Sequence, residues 1–323
     1  MPLTNFPYGI SSNGVPVLGG GIPATMGNYY FVDAVNGYDG NDGRSWDTAV
    51  KTVAQAYSLV ATNNDDVIVL GSNSTHTLTA MLNITKSRVH FVGDVFGRIY
   101  GQGVKIYMGV TTAVANIHMV KNIGTRNTFN GIKFISADTL TQATSVVGEG
   151  GEYTIYSNCS FEGVKMTSNT YAEVLLNGDS TQFINCSFGT TAVPVVGDKV
   201  RPCVITTASG VASGVVSSKD ILFKGCKFFK HAGGTTSCMV KIPAIIDFTR
   251  GFMEFEDCMF IATKLGSAPA AAVVITAALT ASQILLTGST AAFNCTLFCT
   301  KASGVISGIP TYVATATIGA PTT

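Results

Sequence analysis

The chain has 323 residues and a net charge of +1, with 46% hydrophobic residues and only 12% charged residues. The balanced charge and the absence of a basic run argue against a nucleic-acid partner, and no apolar run is long enough to span a membrane as a helix. The amino terminus lacks the pattern of a signal peptide, so we expect the eight cysteines to be reduced and the protein to be made in the cytoplasm.

The first 62 residues predict an arm followed by a cap. Residues 1–27 are rich in glycine and proline and show no strand or helix period, which predicts an extended N-terminal arm. Residues 28–62 predict a strand, a loop rich in Asn, Asp and Gly, and one amphipathic helix that covers the first coil. Ser45 or Asp47 is its predicted N-cap, and it is expected to end near Ala61. Its predicted apolar face comprises Val50, Val53, Ala54, Tyr57 and Val60.

A short motif recurs along the chain at intervals of 27 to 40 residues. Each copy has an aromatic residue, two positions later a Gly, Asn or Asp, then a Cys, and two positions after the Cys a second aromatic residue. Ile132 replaces Cys in the first copy, and Ala292 and Leu297 replace both aromatic residues in the last. The copies span residues 129–134, 156–161, 183–188, 223–228, 255–260 and 292–297.

Each position of the motif has a structural interpretation. The residue before the Cys is a type that tolerates positive φ, which predicts a sharp bend between two short strands. The Cys and the aromatic residues alternate with other residues in the manner of strands with one buried face. The six predicted bends are at Gly131, Asn158, Asn185, Gly225, Asp257 and Asn294.

These features predict an all-β fold, namely a right-handed parallel β-helix (a solenoid) with a short N-terminal capping α-helix. In such a coil, equivalent side chains stack about 4.8 Å apart, so Cys and Phe ladders should line the core. A β-propeller would need four strands in each repeat, which the single compact motif does not supply. The predicted β-helix covers residues 63–300, and residues 301–323 form a closing segment or tail.

Two stretches carry a resemblance to known families. Residues 30–43, with the predicted helix after them, resemble the N-terminal cap of pectate-lyase-like right-handed β-helix proteins. That superfamily includes lyases, hydrolases, phage tailspikes and inert structural bodies, so the resemblance implies a fold rather than an activity. Residues 4–18 resemble the leaders of tailed-phage virion proteins, which implies a head decoration protein or a spike, commonly trimeric.

No local motif defines a catalytic, cofactor-binding or metal site, so none is predicted. Asp39, Asn41 and Asp42 resemble part of a calcium loop, but the twelfth position lacks the required Glu, which favours a cap loop of turn-forming residues. Glu254 and Glu256 could form a carboxylate pair, although Lys224 one coil earlier predicts an ordinary ion pair with Glu256. The four histidines have no partner spacing; His90 should point outward from its strand, and a site assembled in space remains open.

Three classes of function remain. The first is a non-enzymatic phage structural protein, a capsid decoration (cement) protein on the virion surface. Its partners would be the major capsid protein, contacted through residues 1–27, and copies of itself in a homotrimer. The second is a tailspike or fibre that binds, and in some cases depolymerises, a host surface polysaccharide. The third is a non-phage carbohydrate-active enzyme or adhesin. The few charged residues and the absence of a catalytic cluster favour the first.

Overall fold

The computed structural model describes residues 27–72, 75–94, 104–108, 118–136, 145–163, 172–189, 202–206, 219–231, 238–242, 252–263, 270–275, 284–293 and 295–301, and a short pair of strands near the N-terminus. Within these residues the chain winds into coils. Each complete coil contributes one strand to each of three sheets, which we call sheets 1, 2 and 3 in chain order.

The strands are short, and one helix precedes the first complete coil. Near the N-terminus, β1 (Ser11–Ser12) pairs antiparallel with β2 (Val15–Pro16). The helix α1 spans Val53–Leu59. Sheet 1 contains β3 (Tyr29–Val32), β4 (Asp66–Leu70), β7 (Val89–Gly93), β10 (Thr128–Asn130), β13 (Ile155–Ser157), β16 (Gln182–Ile184), β19 (Ile221–Lys224), β22 (Met253–Glu256) and β25 (Ile284–Thr287). Sheet 2 contains β5 (Thr75–Leu78), β8 (Val104–Met108), β11 (Ile132–Ser136), β14 (Ser160–Gly163), β17 (Ser187–Phe188), β20 (Lys227–Lys230), β23 (Met259–Ala262) and β26 (Thr290–Phe293). Sheet 3 contains β6 (Leu82–Ile84), β9 (His118–Asn122), β12 (Ser145–Glu149), β15 (Ala172–Leu176), β18 (Val204–Thr206), β21 (Cys238–Ile242), β24 (Ala270–Ile275) and β27 (Cys295–Lys301).

The topology is that of a parallel β-helix. Within each sheet, every strand pairs in parallel with the equivalent strands of the coil before and the coil after. A strand of three to five residues suffices because its partners lie directly above and below it, about 4.8 Å away. The predicted right-handed parallel β-helix is therefore confirmed.

Two ladders of stacked aromatic rings fill the core, as the repeat predicted. Phe183 stacks on Phe223 with ring centroids 4.9 Å apart, and Phe188 stacks on Phe228 at 4.8 Å. The two ladders meet edge to face, a favourable geometry for aromatic pairs. The first ladder comprises Phe91, Phe129, Tyr156, Phe183, Phe223 and Phe255, and the second comprises Phe134, Phe161, Phe188, Phe228 and Phe260.

A column of buried thiols runs beside the rings. Cys159, Cys186, Cys226 and Cys258 are free and buried, and each Sγ lies near a main-chain carbonyl of the preceding coil. For example, the Cys226 Sγ is 3.2 Å from the Phe183 carbonyl oxygen. Burial raises the pKa of Cys186, which disfavours the reactive thiolate. All four thiols lie in the hydrophobic core cluster and therefore act as small apolar core residues, as their place in the motif predicted.

The last predicted copy of the motif is out of register. The sixth bend is at Gly288 (φ +62°) rather than at Asn294, which lies outside the described residues. Ser289 takes the position of the Cys, and its hydroxyl accepts from the Cys258 main-chain N–H at 3.1 Å. Cys295 instead begins β27 of sheet 3. A hydroxyl replaces the thiol in this coil, so alignment on the cysteine placed the bend too late.

The other predicted bends have left-handed backbone, and one of them provides a test. Asn185 has φ +51°, whereas a β-branched side chain resists this conformation. Asn185→Val should therefore lower the free energy of unfolding by about 1–3 kcal/mol. Urea denaturation can measure this change, with Ile184→Val in the preceding strand as the control. Equal stability of the two variants would contradict a strained bend at Asn185.

A second column of bends, which the sequence analysis missed, joins sheet 3 to sheet 1. It comprises Arg88, Arg126, Tyr153, Ser180 and Asp220, all with φ between +52° and +58°, and Asn63 (φ +61°) continues the column between the capping helix and β4. Arginine and tyrosine seldom adopt this conformation, so the sequence shows no recurrent residue type there. A glycine lies nearby in three coils: a Cβ on Gly178 would lie 2.0 Å from the Gly151 carbonyl oxygen, and one on Gly151 would lie 2.1 Å from that of Gly124.

The capping helix is shorter than predicted, and its N-cap is Thr52 rather than Ser45 or Asp47. The Thr52 hydroxyl accepts from the Gln55 main-chain N–H at 3.1 Å. The Ser45 hydroxyl accepts from the Thr48 N–H instead and so forms a local turn before the helix. At the other end, the Lys86 ammonium donates to the carbonyl of Val60 at 2.7 Å, and to those of two helical residues. Among the described residues, no helix has the length and apolar character needed to cross a membrane.

The prediction of which helix face is buried is partly correct. Val53 is buried, and Val60 is buried just after the helix ends. Ala54 is exposed, and Ala56 is buried in its place. Val50 is buried before the helix begins, where it forms a bridge with Val32. Tyr57 is partly buried and packs against the core, so four of the five predicted residues face it, with Ala56 in place of Ala54.

Candidate functional site

Four polar residues from three coils meet on the outer side of sheet 1, beside the second column of bends. His90 on β7 and Thr128 on β10 occupy paired positions of adjacent strands. Asp65 precedes β4, and Arg88 precedes β7. His90 lies between the buried Val89 and Phe91 and points outward, as its position in the strand predicted. We call Asp65, Arg88, His90 and Thr128 the His90 cluster.

The His90 cluster is a chain of hydrogen bonds. The His90 Nδ1 lies 2.8 Å from the Thr128 Oγ1, and its Nε2 lies 3.4 Å from the Asp65 Oδ1. A carboxylate only accepts, so the Nε2 carries the proton and the Nδ1 accepts from the Thr128 hydroxyl. Arg88 donates to both carboxylate oxygens of Asp65, with Nε 2.9 Å from Oδ1. The order is therefore hydroxyl, imidazole, carboxylate and guanidinium.

Burial keeps the imidazole of His90 neutral despite the neighbouring carboxylate of Asp65. The hydrogen bond from Arg88 lowers the pKa of Asp65, so this carboxyl is ionised at neutral pH. Burial lowers the pKa of His90 and outweighs the opposite effect of Asp65. A neutral imidazole can accept the proton of a hydroxyl group, which is the task of a general base.

The cluster is also open to solvent. The side chain of His90 is 15% exposed, that of Asp65 25% and that of Arg88 42%. Thr128 is half-buried.

Two further histidines form hydroxyl pairs between adjacent coils. The His118 Nδ1 is 2.6 Å from the Ser145 Oγ in a buried position, and the His231 Nδ1 is 2.9 Å from the Thr263 Oγ1 near the surface. Among the described residues, His231 has no carboxylate partner. A histidine–hydroxyl pair between coils can thus form without a described carboxylate partner, as it does at His231. At His90 the carboxylate of Asp65 is present in addition to the hydroxyl of Thr128.

An exposed aromatic ring lies at the same corner of the fold. Tyr153 is 53% exposed, and the Arg126 guanidinium is 5.6 Å from its ring centroid. Both residues have left-handed backbone, with φ +56° and +58°. Such backbone favours Gly or Asn, so the backbone alone does not account for a Tyr or an Arg here. An exposed ring beside a cation is a surface on which a sugar ring can stack.

The side chains of the possible calcium loop form hydrogen bonds with main-chain groups of the cap. Asp39 accepts from the main-chain N–H groups of Lys51 and Thr52, at 2.9 and 2.8 Å. Asn41 donates to a carbonyl of the cap, and Asp42 accepts from a main-chain N–H of its own loop. Among the described residues, no group of three His, Cys, Asp or Glu side chains is placed to hold a metal ion.

Of the two candidate acids, Glu256 forms the predicted ion pair with Lys224. The Lys224 ammonium lies 2.7 Å from Glu256 Oε1, between adjacent coils. Glu254 is near the Thr287 hydroxyl, at 3.5 Å. The two glutamates occupy the outer face of sheet 1, far along the coils from the His90 cluster.

Comparison with known proteins defines the class of fold. No family model and no curated sequence matches the chain. A pectin methylesterase mutant solved in complex with a hexasaccharide has a TM-score of 0.52 at 13% identity, over 83% of this chain and 80% of that one. The pectin methylesterase of Aspergillus niger has a TM-score of 0.52 at 10% identity, over 88% and 89%. The Geobacillus virus E2 protein ORF18 reaches only 0.35 at 13% identity, over 78% and 58%. At these identities the likeness shows the fold alone, a right-handed parallel β-helix.

The prediction that the protein is not an enzyme is corrected by these comparisons. The solved structures of similar fold include pectin methylesterases, which are enzymes. That prediction depended on the absence of a local catalytic motif. In a β-helix, however, residues from coils with loops of different length come together, as they do in the His90 cluster.

Proposed function

We propose that this protein is a spike or fibre of a tailed phage that binds and modifies a polysaccharide of the host surface. The observation that carries the proposal is the similarity in fold to pectin methylesterases, one of them solved with a hexasaccharide. The similarity extends over most of both chains, so it includes the β-helix as a whole rather than one motif.

The corner between sheets 3 and 1 supports binding of an extended saccharide. Its coils rise by about 4.8 Å, which is close to the length of one sugar residue in an extended chain. Tyr153 and Arg126 offer a ring and hydrogen-bond donors, and the next coil adds Asp179 and Ser180. Successive sugar rings could therefore follow successive coils along this corner.

The phage assignment rests on the leader at residues 4–18, which lies outside the described residues apart from Ser11–Ser12 and Val15–Pro16. Attachment to a capsid shell, a homotrimeric state and a position on the virion remain predictions from that leader. Between the two phage roles, we favour the spike or fibre because the fold is shared with proteins that act on polysaccharides.

Saccharide binding can be tested with a single substitution. Tyr153→Ala should weaken the affinity for purified host polysaccharide about tenfold, because it removes the stacking surface. Isothermal titration calorimetry would measure this loss. Tyr38→Ala is the matched control, because Tyr38 is 71% exposed and lies in the cap. Unchanged affinity in Tyr153→Ala, or an equal loss in both variants, would contradict binding at this corner.

The position on the virion can be determined by cryo-electron microscopy of purified particles. Density for this chain at the tail supports the spike or fibre. Density in many copies over the head would overturn it in favour of a capsid decoration protein.

A further inference from the structure

We propose that the His90 cluster hydrolyses O-acyl esters on the bound polysaccharide, with Thr128 as nucleophile, His90 as general base and Asp65 as the residue that positions His90. The identity of the molecule that carries the ester, a bound polysaccharide, rests on the proposed function. The hydrolytic step itself depends on the contacts of the cluster.

The cluster has the order and spacing that acyl transfer requires. The hydroxyl lies within hydrogen-bond reach of the imidazole, which is oriented through its other nitrogen by a carboxylate. Arg88 holds both oxygens of Asp65 and so prevents the carboxylate from turning away from His90. The arrangement leaves the Nδ1 lone pair directed at one hydroxyl, that of Thr128.

A comparison with a second histidine–hydroxyl pair supports a role of Asp65 and Arg88 beyond folding. The left-handed backbone of Arg88 recurs at this corner in other coils, so it is not special to the cluster. Among the described residues, the His231–Thr263 pair forms a cross-coil histidine–hydroxyl contact with neither a carboxylate nor an arginine partner. The carboxylate and guanidinium at His90 therefore need another explanation, which the proposed chemistry provides.

The reaction needs only the ester and water. The Thr128 proton passes to the His90 Nδ1 while the Thr128 Oγ bonds to the acyl carbon. The ester C–O bond then breaks, and the sugar oxygen leaves with the proton from His90. Water next attacks the acyl-threonine, giving its proton to His90, and the carboxylic acid is released as Thr128 recovers the proton.

The surroundings of Thr128 favour a small acyl group on a sugar hydroxyl. In this reaction the acyl part is transferred to Thr128, and the sugar part leaves. Thr128 is half-buried on the sheet, where a small acyl group is more easily accommodated than a polymer. Tyr153 belongs to the adjacent coil, so the saccharide that loses the acyl group could stack on its exposed ring.

The test uses the full chain and 4-nitrophenyl acetate, an activated ester that needs no saccharide. The wild type should release nitrophenol and carry a transient acetyl group on Thr128, which mass spectrometry of the quenched protein detects. Thr128→Val and His90→Gln should each lower the rate by about a hundredfold or more, since a positioned general base contributes at least that much. Thr128→Ser should retain activity, which separates loss of the hydroxyl from loss of the fold.

Two further variants distinguish the cluster from an ordinary histidine–hydroxyl pair. Asp65→Asn tolerates the left-handed backbone and should lower kcat while leaving KM unchanged. Thr263→Val, in the pair that has no carboxylate partner among the described residues, should hydrolyse the ester at the wild-type rate. Thermal unfolding of each variant confirms that the fold is retained.

The proposal is overturned if the wild type is no faster than Thr128→Val, or if acetylation of Thr128 persists undiminished in His90→Gln. Saccharide binding through Tyr153 is measured separately. If the wild type hydrolyses the ester but its affinity for the polysaccharide is unchanged in Tyr153→Ala, the proposed function alone is overturned. If binding depends on Tyr153 but the ester is not hydrolysed, the chemistry proposed for the His90 cluster alone is overturned.

Discussion

Replacing Phe228 with alanine should lower the free energy of unfolding by about 3–5 kcal/mol, the range for a fully buried ring. Phe228 is 0% exposed and stacks on Phe188 and Phe260, each with centroids 4.8 Å away. It also meets Phe223 and Phe255 edge to face, so its loss leaves a cavity bounded by four rings. Rings in a ladder are held by their strands and cannot close that cavity.

Urea denaturation followed by far-ultraviolet circular dichroism measures this effect. Phe229→Ala is the matched control, because Phe229 is the next residue of the same strand and is only partly buried. It should cost much less than Phe228→Ala. Comparable losses in the two variants would show that stability does not depend on the ladder.

The second large effect concerns Glu149, a carboxyl buried at the corner between sheets 3 and 1. Its oxygens accept from the Tyr156 hydroxyl at 2.5 Å, the Asn122 side chain at 2.9 Å and the Gly151 main-chain N–H at 2.7 Å. The Thr154 hydroxyl donates more weakly, at 3.3 Å. Despite these donors, burial raises the pKa of Glu149 to about 7.

This pKa makes stability depend on pH in a defined direction. A carboxyl with a higher pKa in the folded state stabilises the fold fully below its unfolded pKa, and the contribution is lost as pH rises through the folded pKa. For Glu149 the window runs from about 4.5 to about 7. Glu149→Gln has no such proton to lose. From pH 5 to pH 8, its free energy of unfolding should gain about 3 kcal/mol relative to wild type.

Chemical denaturation at several pH values measures the two curves. Glu162→Gln provides the control, because Glu162 forms an ion pair with Lys133 between adjacent coils, with its side chain 13% exposed. A Glu149→Gln curve that runs parallel to that of the wild type from pH 5 to pH 8 would refute the raised pKa of the buried carboxyl.

The success of the fold prediction can be traced to a few positions of the repeat. Gly, Asn or Asp before each Cys marked the bends at Asn158 and Asn185, because residue type and positive φ are linked locally. The register failed in the last coil, where Ser289 takes the place of a Cys and Gly288 forms the bend. At that position the hydrogen bonds of the Ser289 hydroxyl replace the buried thiol of the other coils. A pattern based on Cys alone could not show this replacement.

The candidate site was not predictable in the same way. His90 is 38 residues from Thr128 and 25 residues from Asp65 along the chain. Loops of different length separate successive coils, so no fixed spacing marks such a site. The Arg88, Arg126 and Tyr153 bends also escaped notice, because these residue types seldom adopt left-handed backbone. One signal was present: His90 interrupts an apolar strand at an outward position.

The amino-acid sequence by itself determined the coil, its buried ladders and the bend between sheets 1 and 2. Those features arise from local backbone preferences and from the alternation of apolar residues, which are properties of neighbouring positions. The tertiary structure alone decided which outward side chains meet. The length of each loop sets which residue of one coil lies over which residue of the next, and only that stacking brings Thr128, His90 and Asp65 together.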